Sequence, residues 1–130
     1  MMLGAQAYAT TQISTASSVQ VVVLLYDGAI SSMKLAQEGI VALNFQDKAR
    51  FIDRALRVVG ELSASLNSEE GGVVAKDLQR LYEYVQYEVT QANLKNEPGR
   101  LEGPIRCMSV IREAWQELAI QGATPQAVGM

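Results

Sequence analysis

Apolar residues between Ser17 and Asn44 recur at alternating intervals of three and four, the spacing of one face of a helix in a bundle. From Met1 to Met33 the only charged side chain is Asp27. So little charge is typical of a central helix that its neighbours surround. The predicted helix, Ser18 to Leu43, would be about 39 Å long. Its predicted core line is Val19, Val22, Tyr26, Ala29, Met33, Ala36, Ile40 and Leu43.

Three polar or small residues of this first helix have specific predicted roles. Ser17 is expected to cap its N-terminus. Gly28 lowers helix propensity, so we expect it to allow close packing against a neighbouring helix. For Asp27 three roles stay open: a solvated residue, an ion pair with a base such as Lys76 or Arg80, or a contact to a bound chain.

The second predicted helix begins after Asn44, a residue that can cap a helix, and carries Asp47 in its first turn. It has two apolar lines, which indicates that it either touches two neighbours or leaves one line open. The first line is Ala49, Ile52, Leu56, Val59 and Leu66, and the second is Ala55, Val58 and Leu62.

Turn residues at Asn67–Gly72 and Asn96–Arg100 separate two further helices. Helix three, Val73–Lys95, has the predicted core line Ala75, Leu78, Tyr82, Val85, Val89 and Ala92. Helix four begins near Leu101–Pro104 and ends at Gly122, with the inner residues Ile105, Met108, Ile111, Trp115 and Leu118.

Four amphipathic helices joined by short connections predict an all-α fold, an antiparallel up-and-down four-helix bundle. The 130 residues are expected to form a single domain. We divide it into a mobile N-terminal arm (1–16), the bundle (17–120) and a flexible tail (121–130).

Composition excludes several classes of function. The chain has no histidine, which removes imidazole catalysis, histidine phosphotransfer and every metal motif that contains histidine. No glycine-rich phosphate loop is present, and Glu69 and Glu70 are interpreted as solvated charges. The lone Cys107 is interpreted as a small buried thiol. We therefore predict no enzymatic activity, no cofactor and no bound metal.

Charge and hydropathy restrict the surroundings in which the chain acts. The net charge is −3 and no basic cluster is present, so a nucleic-acid surface is not expected. The longest strongly apolar run, Val21–Tyr26, is far too short to span a membrane. The N-terminus has no basic residue ahead of its apolar part, unlike a secretory signal. The sequence predicts a cytoplasmic protein without membrane insertion.

The helices carry more apolar surface than their core lines use. Val58 and Leu62 on helix two, and Leu81, Tyr84 and Tyr87 on helix three, are surplus in this sense. A contiguous surplus of this kind marks a partner groove. The arm has two interpretations, a frayed terminus or a segment that docks on such a groove. The predicted partner-binding residues are Tyr8, Ile13, Leu62, Leu81, Tyr84 and Tyr87.

Several short motifs, in this order and spacing, resemble the flagellar secretion chaperones of the FliS family. The resemblance covers roughly Gln6 to Leu118. It is carried by Gln6-Ala7-Tyr8, Leu24-Leu25-Tyr26-Asp27-Gly28-Ala29-Ile30, Leu78-Gln79-Arg80-Leu81-Tyr82-Glu83-Tyr84, Gln91-Ala92-Asn93-Leu94 and Arg112-Glu113-Ala114-Trp115.

The resemblance implies a cytoplasmic helical bundle that binds the disordered C-terminal segment of flagellin. Such a chaperone stops premature polymerisation and delivers its client to the flagellar export apparatus. The resemblance also implies that the arm around Tyr8 covers part of the groove and yields to the client. Further partners, such as a co-chaperone or an anti-sigma factor, stay open. The alternative from the residues alone is a cytoplasmic adaptor bundle that binds a folded signalling protein.

Overall fold

The structure is a computed structural model that describes residues 15–121, with side-chain surroundings from residue 18 onward. It confirms the all-α class and the helical bundle. The predicted tail from residue 122 onward and the predicted arm up to residue 14 lie outside the described residues. The helices are α1 (Thr15–Val41), α2 (Phe45–Ala64), α3 (Ser68–Lys95) and α4 (Glu102–Gln121), with a 3-10 turn at Pro98–Leu101 before α4.

Helix α1 is the central helix of the bundle and packs against both α2 and α4. All predicted core positions from Val19 to Ile40 are buried. Two details of the prediction are wrong. The helix begins at Thr15, so the predicted cap Ser17 lies inside it. It ends at Val41, where the backbone N–H of Asn44 donates to the Gly39 carbonyl oxygen at 2.8 Å and closes the last turn. Leu43 therefore lies outside the helix and is exposed.

The core line of α2 differs from the predicted one. The buried residues are Lys48, Ile52, Ala55, Val59 and Leu62, and Ala49 is exposed. Leu62 is 2 % exposed and belongs to the core cluster, so its predicted position on the partner-binding surface is wrong. The predicted cap of this helix is confirmed, because the Asn44 side chain accepts a hydrogen bond from the backbone N–H of Asp47 at 3.1 Å.

Lys48 is buried at the junction between α2 and the end of α3. Its Nζ donates to Asn96 Oδ1 at 2.7 Å and to the Asn93 carbonyl oxygen at 3.3 Å, and it lies 5.2 Å from the centre of the Phe45 ring. A cation at a helix C-terminus is stabilised by the unpaired carbonyl oxygens there. Lys48 thus ties the α1–α2 connection to the end of α3.

The close helix–helix approach that the sequence placed at Gly28 occurs at Gly39 instead. A β-carbon at Gly39 would lie 2.9 Å from the backbone nitrogen of Lys48, so α1 and α2 meet there backbone to backbone. At Gly28 a β-carbon would meet no atom of the described residues within 4 Å. The prediction for Gly28 is therefore wrong.

Helix α3 follows its predicted core line at all six positions. Asn67 caps its start by accepting from the Glu70 backbone N–H at 3.1 Å. The first turn is separated from the rest by Gly72, whose φ of 53° and ψ of −127° only glycine adopts readily. On α4 the buried residues are Pro104, Met108, Trp115 and Ala119.

A polar contact crosses the core between α1 and α3. The hydroxyl groups of Tyr26 and Tyr82 lie 2.7 Å apart, and Trp115 packs against Tyr26 with ring centres 6.4 Å apart. Burial raises the pKa of both tyrosines above the ordinary value of about 10. The two hydroxyl groups satisfy one another, as buried polar groups must.

One buried hydroxyl group has no such partner. Ser32 Oγ is fully buried and makes no hydrogen bond within the described part of the chain.

We expect Ser32→Ala to raise the free energy of unfolding by about 1 kcal/mol, because it removes an unpaired polar group and improves helix propensity. Urea unfolding followed by circular dichroism measures the change. Ser31→Ala, at an exposed neighbouring position, controls for propensity alone; an equal gain in both variants would contradict the prediction.

Candidate partner-binding surface

Three of the five exposed large apolar side chains of α3 lie in the second half of the helix. Tyr84, Tyr87 and Leu94 are 41 %, 59 % and 69 % exposed. Positions 84, 87 and 94 fall on one side of the helix, opposite the buried line through Val85 and Val89. We call Tyr84, Tyr87 and Leu94 the α3 stripe.

The α3 stripe reaches the neighbouring helix α4 through Tyr84. The Tyr84 hydroxyl lies directly over Gly103, where any β-carbon would collide with it. Partial burial against α4, with a smaller effect of the nearby Cys107 thiol, raises the pKa of Tyr84. Leu81, one turn before Tyr84, is half-buried and packs against the core. Apolar surface therefore continues from inside the bundle at Leu81 to the exposed α3 stripe.

The structure brings together three of the predicted partner-binding residues. Leu81, Tyr84 and Tyr87 lie on one helix, half-buried or exposed. Leu62 does not join them because it is buried. Tyr8 and Ile13 lie outside the described residues. Whether any of these side chains contacts a partner remains a prediction.

A groove along α1 and α4 was not predicted from the sequence. It consists of three adjoining clefts of about 320, 370 and 770 Å³. Asp27 lines the first and second clefts, and Lys34 and Glu38 line the second and third. The first cleft lies between Gln20 on α1 and Gln116 on α4, and the last ends at Val41. Over that span of α1 the groove is about 30 Å long. The groove depends on the packing of α1 against α4. The spacing of residues along one helix therefore cannot predict it.

An ion pair spans the groove between α1 and α4. Arg112 donates to Asp27 twice, from Nε to Oδ1 at 2.8 Å and from Nη2 to Oδ2 at 3.4 Å. The hydrogen bond to Asp27 raises the pKa of Arg112. Of the roles left open for Asp27, the structure shows an ion pair, with Arg112 rather than with Lys76 or Arg80.

The described part of the chain offers no cluster of metal-ligating side chains. In that part of the chain no three His, Cys, Asp or Glu side chains lie close enough together to hold a metal ion. Helix α1 between Ser18 and Val41 is long and apolar enough to cross a membrane, but half of it is buried inside the bundle. Its apolar character is explained by its central position in the core.

Comparison with known proteins identifies the family. A family model described as "Flagellar protein FliS" matches residues 1–122. The chain belongs to the FliS family. Flagellar secretion chaperones named FliS from Vibrio cholerae and Salmonella typhimurium are 32 % and 31 % identical to it. The first match covers 83 % of this chain and 79 % of the relative, and the second covers 89 % and 90 %. The Escherichia coli FliS is 31 % identical over 88 % of both chains.

The family assigns the general function. These relatives are named as flagellar secretion chaperones and not as enzymes. The chain is accordingly a chaperone of flagellar export, which agrees with the sequence prediction of a helical binding protein without catalytic activity. The surface that it presents to a partner is then the functional part of the molecule.

Proposed function

We propose that this chaperone binds the disordered C-terminal segment of flagellin in the cytoplasm, prevents its premature polymerisation and delivers it to the flagellar export apparatus. Tyr84 and Tyr87 are the principal contacts, Leu81 extends them towards the core, and Tyr8 and Ile13 of the arm contribute further apolar contacts.

The observation that carries this proposal is the α3 stripe. Exposed tyrosines are effective binding anchors, because each buries a large apolar area with few rotatable bonds and still offers a hydroxyl group. Side chains at positions 84, 87 and 94 share one exposed side of α3, and an apolar surface of this kind can receive the apolar face of an amphipathic helix. A client whose apolar face lies on this stripe cannot use the same face to assemble.

The energetics of such a complex are reasonable without any nucleotide. A segment that folds on binding loses about 2–5 kcal/mol of the gross interaction energy to ordering. Two or three buried aromatic or aliphatic anchors, each contributing about 2 kcal/mol or more, offset that cost. Binding that depends on a few anchors also allows the client to be released when the export apparatus competes for it.

We expect the double variant Tyr84→Ala/Tyr87→Ala to bind a flagellin C-terminal peptide at least about tenfold more weakly, since tenfold corresponds to only 1.4 kcal/mol. Isothermal titration calorimetry with the full chain measures the affinity. The fold should persist because neither side chain belongs to the core cluster, and circular dichroism checks this.

The matched control is Phe45→Ala, which removes an exposed aromatic ring from the start of α2 instead of α3. It should leave the affinity for the peptide unchanged. Unchanged affinity in a folded Tyr84→Ala/Tyr87→Ala variant would show that the α3 stripe is not the client surface.

A further inference from the structure

Tyr84 bridges a loosely packed boundary of the bundle. Helix α4 packs mainly against α1 and touches α3 only sparingly. At this boundary the Tyr84 hydroxyl lies over Gly103, and one turn further along α3 Glu88 pairs with Arg100 at 3.5 Å. The Tyr84 side chain is therefore partly covered by α4 and partly open to solvent. We call the position in which its hydroxyl lies over Gly103 the docked position of Tyr84.

The docked position requires that residue 103 has no side chain. A β-carbon at Gly103 would overlap the Tyr84 hydroxyl oxygen, but it would lie 3.5 Å from Cζ, the ring carbon that carries the hydroxyl, which is ordinary van der Waals contact. No other described atom lies within 4 Å of it. The collision is thus with the hydroxyl alone. Because this oxygen is the far end of a side chain that can rotate, alanine at position 103 would displace Tyr84 and leave α4 in place.

The backbone gives a second, separable reason for glycine at position 103. Gly103 does not have a positive φ, so a left-handed backbone is not that reason. Pro104 follows it in the first turn of α4, and proline disfavours a helical conformation in a preceding residue that carries a β-carbon. Gly103 therefore eases the start of α4 and also leaves room for the Tyr84 hydroxyl. Only the second of these effects depends on the residue at position 84.

We propose that Gly103 is a positioning residue of the client surface, which holds Tyr84 in its docked position, and that the docked Tyr84 is the form that binds the client. This inference rests on the proposed function, in which Tyr84 is a principal contact. A side chain that a partner must immobilise loses rotamer freedom on binding, and one that is already held loses less. Docked Tyr84 is still 41 % exposed, so a client can contact it without first moving it away from α4.

A cycle of four full-length chains tests the proposal by isothermal titration calorimetry with a flagellin C-terminal peptide. Gly103→Ala should bind the peptide about three- to tenfold more weakly, because the peptide instead of α4 then has to immobilise Tyr84. Tyr84→Phe removes the oxygen that collides, so adding Gly103→Ala to it should not change the affinity further. Gly60→Ala is the control, because a β-carbon there meets no described atom within 4 Å, and it should leave the affinity unchanged.

NMR of the chain labelled with ¹³C at tyrosine Cζ reports the position of Tyr84 without any client. The Tyr84 resonance is the one that Tyr84→Phe removes. Gly103→Ala should shift this resonance and lower the pKa read from its alkaline titration, because leaving α4 removes the burial that is the main cause of the raised pKa. Cys107 and Glu88 also raise this pKa, and Arg106 lowers it, by smaller amounts. The resonances of the buried tyrosines should not move.

Three outcomes would overturn the proposal. Equal weakening by Gly103→Ala with and without Tyr84→Phe would trace the effect to Pro104, and an unmoved Tyr84 resonance would show that Gly103 does not hold the side chain. Unchanged or tighter binding by Gly103→Ala would show that the docked position is not the binding form. The variant Tyr84→Ala/Tyr87→Ala decides the proposed function separately: if it binds weakly while Gly103→Ala binds normally, only the positioning role of Gly103 is rejected.

Discussion

Replacing Gly39 with valine is expected to lower the free energy of unfolding by at least about 3 kcal/mol. The new β-carbon would lie 2.9 Å from the Lys48 backbone nitrogen and 3.2 Å from its Cα, so no side-chain rotation can relieve the collision. Overpacking usually costs about 1–3 kcal/mol, and more where backbone must move. Here α1 and α2 must separate, which loosens the core on both sides of the contact. Urea unfolding measures the loss.

Gly28→Ala is the matched control on the same helix. A β-carbon at Gly28 meets no described atom within 4 Å, so only the gain in helix propensity remains. We expect the variant to be about 1 kcal/mol more stable than the natural chain. If both variants changed stability in the same direction, the assignment of the close helix contact to Gly39 would be wrong.

The fold was predictable where the pattern of apolar residues is uninterrupted. On α3 all six core positions are apolar or aromatic, so the helical spacing defines the buried face without ambiguity. On α2 a lysine occupies a core position, and the pattern then suggested Ala49 in its place. Lys48 can be buried because its amino group reaches the polar end of α3, a contact between residues 45 positions apart. Nothing within the helix itself signals that contact.

The candidate surface was predictable on α3, where the core line was correct, but not on α2 or across the α1–α4 packing. Tyr84 and Tyr87 are exposed because they lie outside the core line of α3. Their exposure was therefore predictable from the helical spacing. Leu62 was placed on the surface because the α2 core line was assigned to the wrong residues. Arg112 as the partner of Asp27 could not be found, since the two residues are 85 positions apart and only the packing of α1 against α4 brings them together.

The hydroxyl pair in the core makes the stability depend on alkaline pH. Burial holds the pKa of Tyr26 and Tyr82 above about 10, so above that pH a tyrosine ionises in the unfolded chain but not in the folded one. The unfolded state then binds fewer protons, and the free energy of unfolding falls as pH rises. Each tyrosine contributes up to about 1.4 kcal/mol per pH unit while its hydroxyl stays protonated in the folded chain, and Tyr82, whose pKa is raised further, contributes over the wider pH range.

The double variant Tyr26→Phe/Tyr82→Phe isolates this effect, because every other titrating group is retained. Above about pH 10 its free energy of unfolding should fall less steeply than that of the natural chain, by up to about 1.4 kcal/mol per pH unit for each tyrosine. At neutral pH each single Tyr→Phe change should cost about 1–3 kcal/mol by leaving one buried hydroxyl unpaired, and the double variant less than the sum. Urea unfolding at a series of pH values tests both points. Equal alkaline slopes would mean that the two hydroxyl groups ionise in the folded protein, which their 2.7 Å contact in a closed core does not allow.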